Sequence, residues 1–209
     1  MLIVGVIGIN SREQTVTSLY NLFKSNGFKV NMLEIDEKGS SIKNLKQYIK
    51  ILSNNNTEIL IISISCYNIQ EEFYKGIKFD IIAHLTNDKD NIIKENMDLV
   101  IENEKKIFNK LKSNSFAVIN IDNDDYIKLL EGIRTCIITY GYNSKATITS
   151  SSIDDNSNTL SISQQRAIKT HENSVIEPQE LVIKINDYNI QNIYNALVVT
   201  SVGLIFNLR

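Results

Sequence analysis

Short apolar runs rich in β-branched residues recur along the chain as far as Tyr140, and they constrain its fold more than any other feature. Leu2 to Ile7, Glu58 to Ser65, Phe79 to Leu85, Phe116 to Ile121 and Thr135 to Tyr140 are such runs, and Phe28 to Ile35 reads as a strand too. Runs of this kind fit strands buried on both faces, as in a parallel sheet covered by helices. Between them the pattern turns helical. Val16, Leu19, Tyr20, Leu22 and Phe23 recur at helical spacing and stop near Asn26-Gly27, a good helix exit. Ile42, Leu45, Ile49 and Leu52 repeat that spacing, and Ile92 to Leu111 reads as a third helix with charges crowding one side. Strands alternating with helices predict an α/β fold with a mainly parallel, doubly wound sheet and helices on both faces.

After Tyr142 the character changes. Ser, Thr and Asn dominate Asn143 to Gln164, with short alternating pieces at Ala146 to Ile148, Leu160 to Ile162 and Leu181 to Ile185. These predict a small antiparallel region at the sheet's edge, followed by a helix from about Ile193 to Asn207. No internal repeat or linker divides the 209 residues, so a single domain over 1–209 is expected.

Charge narrows the partners. The 22 basic and 24 acidic side chains leave a net charge of -2, without the basic surplus of a general nucleic-acid binder. The apolar stretch from Ala196 to Phe206 is interrupted by Thr200, Ser201 and Gly203, and falls short of the roughly 20 residues that a membrane span needs. No signal-peptide pattern opens the chain. The expectation is a cytoplasmic protein with no membrane or nucleic-acid partner. Cys66 and Cys136 both sit in apolar runs and are expected to be buried free thiols. His84 and His171 show no metal-ligand spacing.

A strand, a polar turn opening on glycine, and a helix together offer backbone N–H groups and a helix dipole to phosphate. Gly8-Ile9-Asn10-Ser11-Arg12-Glu13-Gln14-Thr15 occupies that place. A working phosphate loop adds a lysine for the outer phosphates and a hydroxyl for magnesium. Here Arg12 and Glu13 stand at those positions. Asp88, Asp90, Asp122, Asp124 and Asp125 fall at expected strand ends, where α/β sheets gather their ligands and where loop solvation also places carboxylates.

Several segments, taken in order, resemble the central ATPase domain of the Mur ligases, particularly the UDP-N-acetylmuramoyl-tripeptide synthetase branch. The family's G-T-N-G-K-T-T loop compares with Gly8 to Gln14, its E-V-S-S-H with Ser63-Ile64-Ser65-Cys66-Tyr67, and its F-D-x-A and T-N with Phe79-Asp80 and Thr86-Asn87. Its A-K-x-x-L-F helix compares with Asn103 to Phe108, and its A-V-I-N-x-D-D strand end with Ala117 to Asn123. I-T-Y-G stands intact as Ile138 to Gly141, and F-N-x-Y-N-A-L compares with Ile190 to Leu197. The last three are the specific motifs, and the resemblance covers essentially the whole chain.

The resemblance implies a P-loop/Rossmann-like domain, ATP and magnesium as cofactors, and chemistry in which a carboxylate is activated as an acyl phosphate and captured by an amine. It places nucleotide at Gly8, Asn10, Ser11, Arg12 and Glu13, with Asn195 near the adenine. The departures fall on charge handling. Relative to the family, lysine has become Arg12, the magnesium-binding threonine Glu13, the acid Ser63 and the histidine Tyr67. The carbamylated lysine has become Glu104, which is either a residual metal ligand or one more charge on a solvated helix face. The D-H-L-D segment has no counterpart in Asp88 to Asn91.

The expected chain is therefore a degenerate central domain, inactive alone and binding nucleotide weakly. The family's uridine-nucleotide and carboxy-terminal ligase domains are expected to be absent, and a homodimer or a protein partner is expected to cover what they would cover. The rival readings are a non-catalytic binding or scaffold protein, and an active ligase subunit completed by another chain.

Overall fold

The computed structural model describes residues 1–8, 12–35, 44–66, 69, 71–85, 97–185 and 189–208. The elements run β1 (Leu2–Gly8), α1 (Arg12–Ser25), β2 (Val30–Ile35), α2 (Leu45–Asn54), β3 (Ile59–Ser65), β4 (Phe79–His84), α3 (Met97–Phe108), β5 (Leu111–Asn120), β6 (Cys136–Tyr140), β7 (Ile148–Asp154), β8 (Thr159–Gln164), β9 (Ile168–Lys169), β10 (Val175–Ile176), β11 (Gln179–Lys184) and α4 (Ile190–Ile205). Single 3₁₀ segments at Glu71–Tyr74 and Asp124–Leu130 stand where longer crossover helices would.

Nine strands form one sheet in the order β11-β8-β7-β6-β5-β4-β1-β3-β2. Pairings from β2 through to β7 are parallel, and β7-β8 and β8-β11 are antiparallel. The expected mainly parallel sheet with an antiparallel edge is therefore what the chain builds. β1 lies between β3 and β4, so the chain winds outward one way to β2 and β3, then the other way through β4, β5 and β6. That reversal opens a crevice at the carboxyl ends of β1, β3 and β4, the position where such sheets take ligands.

Strand alternation splits the core into two layers. Val4, Val6, Ile59, Ile61, Ile81, Ala83, Phe116 and Val118 face one way, toward Leu19 and Phe23 of α1 and Leu197, Val198 and Val202 of α4. Ile3, Ile7, Ile62, Ile64, Ile82, Ala117 and Ile119 face the other way, toward Leu45 and Leu52 of α2 and Val100, Ile101, Ile107 and Phe108 of α3. Both layers are apolar because these strands have no solvent face. Caps set the helix starts: Asn44 Oδ1 accepts from Gln47 N at 3.0 Å, and Asn189 Oδ1 accepts from Asn192 N at 2.9 Å. The last helix starts at Ile190, a turn earlier than the apolar pattern suggests, because Asn189 rather than the first apolar residue fixes its entry.

One expectation is corrected here. Cys66 is buried, but Cys136 is exposed. Cys136 opens β6, whose first two residues project beyond the covering layers, so an apolar run does not guarantee burial at its tip. Desolvation by burial, then the neighbouring Glu104 carboxylate, push the Cys66 thiol well above its ordinary range, against the opposing pull of Arg12. A raised thiol stays protonated at mildly alkaline pH and is a poor nucleophile. Native protein is therefore expected to react with Ellman's reagent at Cys136 alone, with Cys66 appearing only on addition of denaturant. Two fast thiols in the native state would contradict this burial.

Candidate functional site

The carboxyl ends of the central strands carry polar side chains where their middles carry apolar ones. In register, Val6 pairs with Ser63, Gly8 with Ser65, Ile7 with His84 and Asn120 with Tyr140. Alternation then sorts these residues. Ser63, Ser65 and Asn120 share the parity of the α1/α4 layer, whereas His84 shares that of the α3 layer. Ser63 Oγ, Ser65 Oγ and Asn120 Nδ2 are buried and have no hydrogen-bond partner. Buried polar atoms left unpaired cost free energy, commonly about 1–3 kcal/mol each. Ser63 and Ser65 stand on β3 beside β1 at the topological switch point, where they mark a place for a polar group, whereas Asn120 stands on β5 beyond β4.

Arg12 opens α1, which packs over β1, β2 and β3. Its Nη1 donates to the Gly8 carbonyl at 2.7 Å, folding the side chain back over the end of β1, while its Nε is buried and unpartnered. Its charge is felt at Cys66 and at Tyr74, a phenol that burial pushes up and Arg12 draws down. Glu13 is exposed on α1. Asn10 and Ser11 lie outside the described residues, as do Tyr67, Thr86, Asn87, Asp88 and Asp90.

Below the opposite face sits a pair whose residues show no spacing that would join them. His84 Nε2 and Glu104 Oε2 are hydrogen-bonded at 3.1 Å, with both side chains fully buried. The reading of Glu104 as a charge on a solvated helix face is overturned. Val100, Ile101, Glu104, Ile107 and Phe108 fall on one stripe of α3, so the helical period turns Glu104 inward with its apolar neighbours. The His84 ring packs 4.3 Å from Tyr126 and 6.4 Å from Phe108, and its carbonyl accepts from Tyr140 Oη at 2.8 Å. Asn103 Nδ2, one residue before Glu104, donates to the Cys66 carbonyl at 3.2 Å. Glu104 Oε1 and His84 Nδ1 are left without partners.

The three most specific motifs meet at one point. Asp122, just past β5, accepts from Tyr142 N at 2.7 Å, Asn143 N at 2.7 Å and Tyr194 Oη at 2.8 Å. It ties the turn after β6 to α4 and is more than a solvated loop carboxylate. Asp124 and Asp125 begin the 3₁₀ segment after Asn123, and Asp125 pairs with Lys128 at 3.0 Å. Asp80 of the F-D segment belongs to the far end of the sheet, where it accepts from Ile3 N at 2.8 Å and pairs with Lys112 at 2.6 Å.

Tyr194 is followed by Asn195, which is buried. Its Nδ2 reaches Ser18 Oγ at 3.4 Å and its Oδ1 is unpartnered. Asn195 lines a cavity of about 440 Å³ between α1, α4 and β11, with Gln14, Ser18 and Asn192 as further polar lining and Leu22, Leu181, Ile183 and Val199 among the apolar lining. The expected nucleotide residues Arg12 and Asn195 therefore lie along one helix pair, α1 and α4.

The described residues hold no group of three or more His, Cys, Asp or Glu side chains arranged to bind a metal. No described helix is long and apolar enough to cross a membrane.

Comparison with known proteins follows this geometry. The chain is 23% identical over 213 residues to the UDP-N-acetylmuramoyl-L-alanyl-D-glutamate–2,6-diaminopimelate ligase of Parabacteroides distasonis, a match covering 95% of this chain and 42% of that protein. The Bacteroides thetaiotaomicron ligase of the same name is 24% identical over 156 residues, 68% of this chain and 32% of its own. The chain thus spans less than half the length of these relatives. Among solved structures, a ligase of that name superposes with a TM-score of 0.75 at 16% identity, over 100% of this chain and 44% of the other. The MurF ligase from Thermotoga maritima in complex with ADP gives a TM-score of 0.65 at 15% identity, over 100% of this chain and 46% of that one. A family model for the Mur ligase middle domain matches residues 11–203, nearly the whole sheet and both of its layers, and the chain belongs to that family.

Proposed function

We propose that this Mur ligase middle domain is a nucleotide-binding module that holds ATP or ADP weakly and does not turn ATP over by itself. The observation that carries this reading is the pair of unpartnered buried hydroxyls, Ser63 Oγ and Ser65 Oγ, on β3 next to β1 and the Arg12 end of α1. A polyphosphate would satisfy them, with the helix amino terminus and the guanidinium supplying positive potential. The Asn195 cavity has room for a nucleoside and presents an unpaired amide oxygen to it. The ADP complex of the Thermotoga maritima neighbour, which shares the fold, supports the ligand class.

Weak binding without turnover follows from which groups are missing. Phosphoryl transfer rests on positioning and on neutralising charge between the phosphates. Glu13 and Ser63 stand where the family has a magnesium-binding hydroxyl and an acid, and one strong electrostatic contributor is worth about a hundredfold to a thousandfold in rate. Backbone donors outlast such substitutions, so affinity persists beyond catalysis.

Calorimetry is expected to show ATP and ADP binding, weakened roughly tenfold or more by Arg12→Ala through loss of charge-assisted hydrogen bonds. Phosphate release is expected to stay at background. No binding at millimolar nucleotide would remove the reading. Steady turnover near about one per second that vanishes in Arg12→Ala would restore the chain to the enzymes.

A further inference from the structure

The described residues around the strand ends do not fit the magnesium that the fold family implies. Among the described residues Glu104 is the one carboxylate buried beneath the crevice, and it is not available: Oε2 is already held by His84 Nε2 at 3.1 Å, and aromatic rings of Tyr126 and Phe108 flank that histidine. A cation seated on Glu104 would have to displace a buried hydrogen bond and then lie against an imidazole. On the other face the buried groups are hydroxyls and an amide, which are poor sole ligands for a hard cation that wants octahedral oxygen and anionic charge. Glu13, the remaining acidic side chain of the first turn, is exposed on α1.

What the crevice does hold suits an anion directly. Arg12 offers a guanidinium fork of donors, one of which, Nε, is buried without a partner. Ser63 Oγ and Ser65 Oγ add uncharged donors at residues only 3–4% exposed. We infer that this site takes its polyphosphate free of divalent cation, with Arg12 and the uncharged donors doing the charge handling and His84 keeping Glu104 out of it. The inference rests on the nucleotide reading above but is separable from it.

The sign of the magnesium effect follows. Magnesium removes negative charge from the nucleotide that Arg12 would otherwise attract, and it brings a hydration shell into a crevice where the described residues leave no carboxylate free to orient it. Free nucleotide is therefore expected to bind at least as tightly as its magnesium complex. The test is calorimetry of the full chain with ATP and ADP, in excess magnesium and in EDTA, together with manganese electron paramagnetic resonance on the protein with and without nucleotide.

The expected result is a Kd in EDTA equal to that in magnesium within about threefold, or lower, and no manganese retained by the protein alone. Binding that needs magnesium, tighter by about tenfold or more than in EDTA, overturns the inference while leaving the nucleotide reading intact. Manganese retained stoichiometrically, and lost in Glu104→Gln, overturns it as well. Absence of nucleotide binding in both buffers, with inorganic triphosphate also failing to bind, sinks both.

Discussion

His84→Ala is expected to destabilise the fold by about 3–5 kcal/mol, because it takes the His84 hydrogen bond from a fully buried Glu104 side chain that keeps only the neighbouring Cys66 thiol. In a chain of this length that corresponds to a fall in Tm of roughly 6–20 °C. The cost is not the strength of one hydrogen bond, whose net worth is about 1 kcal/mol. It is the desolvation of a carboxylate that folding strands between α3 and β4. The discriminating experiment is therefore the double variant. Replacing both partners, His84→Leu with Glu104→Met, removes the stranded charge and the need for a partner together, and is expected to recover most of the loss or exceed wild type. Urea unfolding of both singles and the double decides it. A double variant as unstable as the sum of the singles would mean that the pair is held by its surroundings rather than by each other.

How far that pair was legible in the sequence has a physical answer. The strands were legible because a run such as Ile59 to Ile64 has no polar alternative to burial on both faces. The antiparallel edge was legible from the shift to alternation, as in Thr159 to Gln164, where every second residue is buried. Periodicity also contained the signal for Glu104. Counting four back to Val100 and four on to Phe108 puts it on the apolar stripe of α3, yet the crowd of charges from Glu102 to Lys106 masks which one turns inward. His84 carried no signal of its own, since its partner lies twenty residues along and meets it only because β4 and α3 pack together. Asp122 shows the same limit. It reads as one of several carboxylates at strand ends, and only the fold reveals that the turn after β6 and Tyr194 both close on it. Residue type and period report one element at a time. Sites are made where elements meet.

The junction at Asp122 makes Gly141 the position least able to accept a side chain. Its φ of +146° lies where L-residues are strained, at a cost of about 1–3 kcal/mol. A Cβ there would stand 2.5 Å from Asp122 Oδ1 and 2.6 Å from Oδ2, closer than atoms can approach. The carboxylate could swing away only by giving up Tyr142 N, Asn143 N and Tyr194 Oη, and each hydrogen bond to a charged group is worth about 1.5–3 kcal/mol. Gly141→Ala is therefore expected to cost about 3 kcal/mol or more, above backbone strain alone. It is also expected to weaken nucleotide binding, because Tyr194 precedes Asn195 on α4 and the clamp sets where that helix begins its approach to the cavity. The two contributions separate in a cycle with Asp122→Ala. That variant loses the clamp but leaves room for a Cβ, so adding Gly141→Ala to it should cost only the strain, about 1–3 kcal/mol. Equal costs of Gly141→Ala in both backgrounds would show that backbone conformation alone, and not the carboxylate, demands the glycine.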